Sequence, residues 1–262
     1  MTNAALHVAR TGLDAQNTKM QVIANNLANV NTTGFKKDRA NFEALAYQQL
    51  IAAGSASDSQ NKFATGLSLG TGVSLAGTSR IDTQGTLQNT SGALDLAIEG
   101  AGYFQVQRPD GAIGYTRDGS FSRTAEGTLV SSDGLPLLPQ IQVPDGVVSI
   151  SIGNDGTVSA VLAGQSAPTE LGQIELASFA NASGLQAVGG NVLLETAASG
   201  APQVGAAGLD GRGTIKQGSL EGSNVNIVEE LVDMIETQRA YEVNSKMIKS
   251  TDEMLQYVNQ QL

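Results

Sequence analysis

Residues 227–262 read IVEELVDMIETQRAYEVNSKMIKSTDEMLQYVNQQL, and within them Ile227, Met234, Tyr241, Ile248, Leu255 and Leu262 recur every seven residues. That period predicts one long helix of about 36 residues with a narrow apolar seam. Asn226 fits an N-cap, and Glu229 fits the carboxylate of a capping box. Glu229, Glu230 and Asp233 lie early, whereas Lys246 and Lys249 lie late, the order that the helix dipole favours. The last turn is nearly uncharged. A seam this thin cannot bury the helix in an ordinary globule, so it calls for a partner helix.

The other end of the chain mirrors it. Leu6, Leu13, Met20 and Leu27 recur every seven residues, and Ala9, Gln16, Ile23 and Val30 form a second, partly polar seam. The helix is expected to stop at Thr32-Thr33-Gly34-Phe35. There Gly34 would take the left-handed position after the helix, and Phe35 would fold back on its last turn. Just before the stop, Asn25, Asn26, Asn29 and Asn31 crowd amides into a segment where they weaken a lone helix. Buried amides penalise misregistration by leaving polar groups unpaired, so Asn25, Asn26 and Asn29 are expected to fix register against a neighbouring helix or subunit. Residues 1–42 carry Arg10, Lys19, Lys36, Lys37 and Arg39 against Asp14 and Asp38. Residues 221–262 carry eight acidic groups against Arg239, Lys246 and Lys249. The two ends are complementary in charge and are expected to meet.

Between the ends lies a different kind of sequence. Residues 43–66 begin in helical fashion and pass into a Ser/Ala/Gly stretch read as an extended excursion. From about 71 to 220 the pattern is that of strands. GYFQV (102–106) and VVSISIGNDGTVSAVL (147–162) alternate, and Asp-Gly pairs at 110–111, 118–119, 133–134 and 155–156 mark tight hairpin turns. A second Gly/Ala/Ser stretch, 196–213, leads back to the C-terminal helix. The expected fold is α+β. Long N- and C-terminal helices pair as a coiled-coil-like layer, and a central, mainly antiparallel β domain lies between them. The division is 1–34 with 224–262 for the helical part, 35–72 for the extended excursion and 73–223 for the β part.

Composition narrows the chemistry. The 262 residues include 31 glycines, one histidine, no cysteine and no tryptophan, and the net charge is −10. Thiolate metal sites and cysteine nucleophiles are excluded, and the charge argues against nucleic acid or direct membrane insertion. No run reaches eighteen apolar residues, and MTNAALHVARTGL lacks the layout of a signal peptide. Alone, this predicts a soluble cytosolic protein. Gly66-Leu67-Ser68-Leu69-Gly70 matches a serine-hydrolase nucleophile elbow, which requires a strand before it, a helix after it and a histidine base. His7 is placed on the N-terminal helix beside the Leu6 seam, fitting a helix-surface or interface role better than a catalytic one. The Asp-Gly turns lack calcium-loop spacing, and Asn-x-Ser/Thr at Asn31, Asn89 and Asn181 is read as chance. No catalytic residue, metal site or cofactor is expected. Two readings stay open: a subunit whose ends pack against copies of itself, and an intramolecular helical hairpin capping a β domain. A β-rich adhesin would explain the glycine content but neither heptad seam.

TGLDAQNTKMQVIANNLANVNTTGFKKDRANFE (11–43) resembles the N-terminal signature of the bacterial flagellar rod and hook family. SNVNIVEELVDMIETQRAYEVNSKMIKSTDEMLQ (223–256) resembles its C-terminal signature. AIEGAGYFQV (97–106) and YTRDGSFSRTAEGTLVSSDGLPL (115–137) are similar to its central β domain. Length, the central segment and the excursion at about 46–66 point to the distal-rod branch, with proximal rod and hook proteins as alternatives. The resemblance implies a structural, non-enzymatic subunit without cofactor, which assembles with itself into a straight helical tube transmitting torque. Its implied partners are proximal rod and hook proteins, the peptidoglycan- and outer-membrane-ring proteins and the flagellar export apparatus. The implied location is the periplasm-spanning basal body, reached without a cleaved signal peptide. Leu6, Leu13, Met20, Asn25, Asn26, Leu27, Asn29, Gly34, Phe35, Met234, Tyr241, Ile248 and Leu255 are the residues expected to carry assembly.

Overall fold

The computed structural model describes residues 2–55, 63–164 and 167–261; the side chains of residues 2–5, 255 and 258–261 lie outside that description. Among the described residues two α-helices, α1 (Thr2–Ala28) and α2 (Ile227–Gln261), flank a stretch built mainly of strands, with one short 3-10 helix at Ala182–Gly184. The chain divides into two compact units. The first comprises Met1–Leu27, Asp38–Ser79 and Asn226–Leu262, and the second comprises Ala28–Lys37 and Arg80–Val225. The fold is α+β, and the strand pairs with a defined register are antiparallel.

In the first unit, Asn226 caps α2 as expected, its Oδ1 accepting from the Val228 N–H at 3.1 Å. The other helix differs from expectation. α1 ends at Ala28, before the Thr-Thr-Gly-Phe stop. The chain turns there because local bonds replace the helical ladder: the Thr32 N–H donates to the Asn29 carbonyl, and the Thr32 hydroxyl donates to Asn29 Oδ1. The segment expected to begin helical is also different. Asp38–Ala44 and Tyr47–Ile51 are strands, the first paired with Val73–Arg80 and the second with Leu67–Gly70. Cross-strand pairing there overrides the helical preference of Glu-Ala-Leu-Ala. Part of the 46–66 excursion, residues 56–62, lies outside the described residues.

The second unit holds the apolar core. A seven-stranded sheet runs in the order Gln186–Gly189, Val192–Leu194, Ile113–Thr116, Tyr103–Gln107, Glu175–Ser178, Gln203–Ala206, with Leu137–Leu138 also pairing to Tyr103–Gln107. A three-stranded sheet joins Val147–Ile152, Thr157–Leu162 and Thr169–Gln173. Two-stranded ladders pair Leu96–Glu99 with Thr214–Gln217 and Leu87–Asn89 with Ser219–Glu221. Leu96, Ile98, Phe104, Leu129, Leu137, Ile141, Val158, Ile174, Leu176 and Ile215 fill the main cluster. Phe104 and Phe121 meet edge to face at 5.1 Å within it.

Asp-Gly at 110–111, 133–134 and 155–156 forms tight turns as read. Asp118-Gly119 does not. The Gly119 carbonyl accepts from the Leu96 N–H at 2.9 Å, and a Cβ at Gly119 would overlap the Leu96 carbonyl. Glycine is needed there for a close backbone approach, not for a turn. The 196–213 stretch is also no plain linker, since Gln203–Ala206 pairs with Glu175–Ser178 across four residues.

Candidate functional site

The segments that connect the helices to the second unit, 28–37 and 219–225, are fastened there by one buried carboxylate. Glu221 closes the strand Ser219–Glu221, and its side chain is fully buried. Its Oε1 accepts from Lys36 Nζ at 2.6 Å and from the Gly85 N–H at 2.9 Å. Its Oε2 accepts from Arg117 Nη1 at 3.1 Å. Both cations are nearly inaccessible, with side chains 4% and 6% exposed. Lys36 also donates to the Thr83 carbonyl at 2.8 Å, and Arg117 Nη2 donates to the Gly100 carbonyl at 2.7 Å. The guanidinium lies 5.4 Å from the centroid of the Tyr103 ring, whose hydroxyl donates to Asp82. Burial lowers the Lys36 amine from its ordinary value despite Glu221, and the neighbouring guanidinium of Arg117 acts in the same direction. Burial, with the Asp82 charge second, raises the Tyr103 phenol.

Backbone contacts complete the fastening. The Gly34 N–H donates to the Glu221 carbonyl at 2.8 Å. Asn224 Oδ1 accepts from the Lys37 N–H at 2.7 Å, while its Nδ2 donates to the carbonyls of Ile81 and Thr83. Gly34 has the expected left-handed φ of +69°, but its reason differs from helix capping. A Cβ there would lie 2.6 Å from the Arg117 carbonyl carbon. Phe35 belongs to the same turn through its N–H bond to the Thr32 carbonyl. The network links three distant stretches of chain in one place. Sequence reasoning counted Lys36 and Glu221 only among the charges of the two ends and did not single out Arg117. The available signal was positional: Lys36 and Arg117 lie inside two of the quoted stretches, and Glu221 lies two residues before a third.

Within the first unit, the two helices touch along polar residues. Asn26 Nδ2 donates to Glu230 Oε2 at 3.2 Å, and Lys19 Nζ lies 3.7 Å from Asp233. A Cβ on Gly12 would lie 3.1 Å from Asn244 Nδ2. Contact positions descend along α1 as they ascend along α2, so these contacts run antiparallel. The charge complementarity of the two ends is realised by Lys19 and Asp233. Asn26 is almost completely buried, and it also pairs with both backbone groups of Asp38, donating at 2.9 Å and accepting at 3.0 Å. Its register partners are therefore in its own chain. Asn25 is exposed on α1.

The apolar seam residues are distributed differently from the heptad reading. Leu6, Leu13, Met20 and Leu27 are half-buried, whereas Ala9 and Ile23 of the second seam are buried. On α2, Met234 and Ile248 are half-buried and Tyr241 is exposed; the side chain of Leu255 is outside the description. Among the described side chains of α2 the buried positions are instead Glu230, Thr237 and Thr251. Val228, Val232, Ile235, Val243, Met254 and Tyr257 are each at least half exposed. His7 is exposed, and its Nδ1 lies 3.2 Å from the Thr71 carbonyl. Ser68 lies within the strand Leu67–Gly70, paired opposite Gln49, and not at the strand-to-helix turn that a nucleophile elbow requires. No helix among the described residues is long and apolar enough to cross a membrane.

Family models described as "Flagella basal body rod protein", "Flagellar hook protein FlgE/F/G D1 domain" and "Flagellar basal body rod FlgEFG protein C-terminal" match residues 6–36, 97–160 and 216–261. The chain belongs to the flagellar basal-body rod family, and it is a structural protein, not an enzyme. A protein named flagellar basal-body rod protein FlgG from Buchnera aphidicola subsp. Acyrthosiphon pisum is 51% identical over 256 residues, covering 98% of both chains. The FlgG of Borreliella burgdorferi is 46% identical over 97% of both, whereas a FlgF of Caulobacter vibrioides is 35% identical over 93% of this chain and 92% of its own. The chain is a structural subunit of the flagellar distal rod.

Proposed function

We propose that copies of this chain assemble into a straight helical tube that carries motor torque to the hook and forms part of the export-channel wall. In this reading α1 and α2 pair as a coiled-coil-like inner layer, and the β-rich residues 73–223 make the outer wall. The residues expected from sequence to carry assembly keep that role here, except that Asn26 acts within its own chain. The observation that carries the proposal is the outward apolar surface of α2. Val228, Val243, Met254 and Tyr257 are between 60% and 70% exposed, which a helix tolerates when other copies cover it. Proximal rod and hook proteins would adjoin the tube at its ends, and the ring proteins would surround it. The subunit would reach the periplasm through the flagellar export apparatus without a cleaved signal peptide.

Residues 46–66 are assigned to keeping the polymer straight. Their described part presents Tyr47 at 64% and Leu50 at 53% exposure, opposite an exposed Leu67–Gly70 strand. Electron microscopy of the purified polymer tests the whole reading. Straight tubes are expected from the intact chain and curved ones after deletion of 46–66. Curved tubes or no polymer from the intact chain would refute the assignment, and straight tubes from the deletion would refute the role of 46–66.

A further inference from the structure

Strand Val147–Ile152 is the outer strand of its three-stranded sheet, and the stretch from Gly146 to Asn154 carries no charge. It reads Val-Val-Ser-Ile-Ser-Ile, a β-branched alternation without proline or lysine. Its register places Ile150 opposite Ala160 and Ile152 opposite Val158 on the inner side. Natural sheets blunt such an edge with charge, proline or a covering element. Here the ladder is interrupted between Val147 and Ser149 at one end, and over the rest the covering element is a single side chain. Gln217 Nε2 donates to the Ile150 carbonyl at 3.0 Å, and Gln217 Oε1 accepts from the Ile152 N–H at 3.0 Å.

The two bonds flank Ser151 on either side, the pattern that one backbone residue of a neighbouring parallel strand would make. A third bond, from Nε2 to the Ala93 carbonyl at 2.7 Å, fixes the amide in place. One residue pair earlier the backbone itself makes the contact, the Ile215 N–H donating to the Asn154 carbonyl at 3.0 Å. The strand Thr214–Gln217 then continues along Leu96–Glu99. Gln217 therefore substitutes for a strand where the backbones part. Beyond it, Val148 is 72% exposed at the open end of the edge.

We propose that Gln217 is the gatekeeper of this edge, and that once it is removed Val147–Ile152 takes a second copy of the same strand as an antiparallel partner. A second copy is the fitting occupant for two reasons. A net charge of −10 disfavours association of copies on balance, and this stretch contributes no charge to that repulsion. The strand is also self-complementary: with Ser149 on a two-fold axis, Val148 of each copy meets Ile150 of the other. The amide would thus direct assembly away from this edge and leave it to other surfaces.

The absence of cysteine from the chain provides a clean reporter. Under mild oxidation at high dilution, Gln217→Leu combined with Ser149→Cys should give at least tenfold more disulfide-linked dimer than Ser149→Cys alone. Adding Val148→Lys to that pair should abolish the dimer, because each lysine would be brought against Ile150 of the other copy, a charge set into an apolar edge pairing. Hydrogen exchange at the Ile152 amide supplies a reading that does not depend on dimerisation. The amide should be protected in the natural chain and at least tenfold faster with Gln217→Leu. Gln217→Glu, which keeps the acceptor for Ile152, should retain protection there and serves if the leucine variant unfolds. Equal dimer yields with and without Gln217, dimer that survives Val148→Lys, or an unprotected Ile152 amide in the natural chain would each overturn the proposal.

Discussion

Glu221→Gln tests how the terminal segments are held. The substitution preserves side-chain shape but removes the carboxylate bonded to both Lys36 and Arg117, whose side chains are 4% and 6% exposed. Removing one partner from a buried ion pair costs about 3–5 kcal/mol, because the remaining charge stays desolvated. Here two cations lose the same counter-charge, and the new amide NH₂ points at a donor, so the upper end of that range is expected. The half-exposed Lys19–Asp233 pair is the internal contrast, worth about 0–1 kcal/mol. Urea unfolding of the dilute full-length chain, followed by far-ultraviolet circular dichroism, measures both. The loss at Glu221 should persist from 0.1 to about 1 M salt, since screening acts weakly on buried charge. A loss below about 1 kcal/mol, or one erased by salt, would falsify the account of Glu221 as the fastening point.

A pH series sharpens that test. Burial lowers the folded-state pKa of Lys36 below its ordinary 10.5, and Glu221 is the first group opposing the shift. Between the folded and unfolded values the unfolded chain binds more protons, so stability rises with pH through that window. Glu221→Gln removes the larger opposing group and leaves Asp82, which widens the window downward. The variant should therefore regain stability as pH rises toward 10.5 over a broader range than the natural chain. For the same reason Lys36→Met should cost less than Glu221→Gln, because its ammonium is the member that burial disfavours.

Three further substitutions address single features. Gly34→Ala should cost about 1–2 kcal/mol from its left-handed backbone alone, and more from the contact with Arg117; unchanged urea midpoints would refute it. Asn26→Ala strips both backbone groups of Asp38 of their partner and should cost about 2–3 kcal/mol. Faster exchange at the Asp38 amide should accompany it, and unaltered exchange counts against the role. Above pH 10 the unfolded Tyr103 phenol ionises while the folded one keeps its proton, so stability falls with rising pH. Tyr103→Phe should reduce that slope by up to about 1.4 kcal/mol per pH unit, and an identical slope refutes the assignment.

The elements were legible where periodicity was local. α2 follows from its cap, its charge order and its heptads, and Val147–Ile152 with Thr157–Leu162 follows from alternation about one turn. Legibility failed where the deciding contact was distant in sequence. Gly119 is a glycine because of Leu96, and Gly34 because of Arg117. Tyr47–Ile51 is a strand because Leu67–Gly70 pairs with it. The fastening at Glu221 joins residues separated by 185 and 104 positions, and no periodic pattern encodes that. The amides before Ala28 stood out in the sequence, but their spacing did not reveal that Asn26 bonds the Asp38 backbone and Glu230.

The two helices also show why a heptad can be read correctly and its faces exchanged. Apolar positions repeat every seven residues along α2, yet Glu230, Thr237 and Thr251 occupy the buried side, with Asn244 against Gly12. Thr237 and Thr251 can be buried because each hydroxyl donates to the carbonyl four residues earlier, at 2.6 and 2.8 Å. Glu230 can be buried because Asn26 donates to it. Polar contacts of this kind add little net stability, but those that cross between the helices are intolerant of slippage, since one displaced turn would part Asn26 from Glu230 and Lys19 from Asp233. Apolar side chains gain about 1.5–3 kcal/mol each on full burial and tolerate many registers. A chain that must first fix its own two helices and then bind copies gains from this division. The polar seam sets register within the subunit, where few contacts suffice. The apolar face is left for the proposed tube, where burial has to overcome the entropy of assembly.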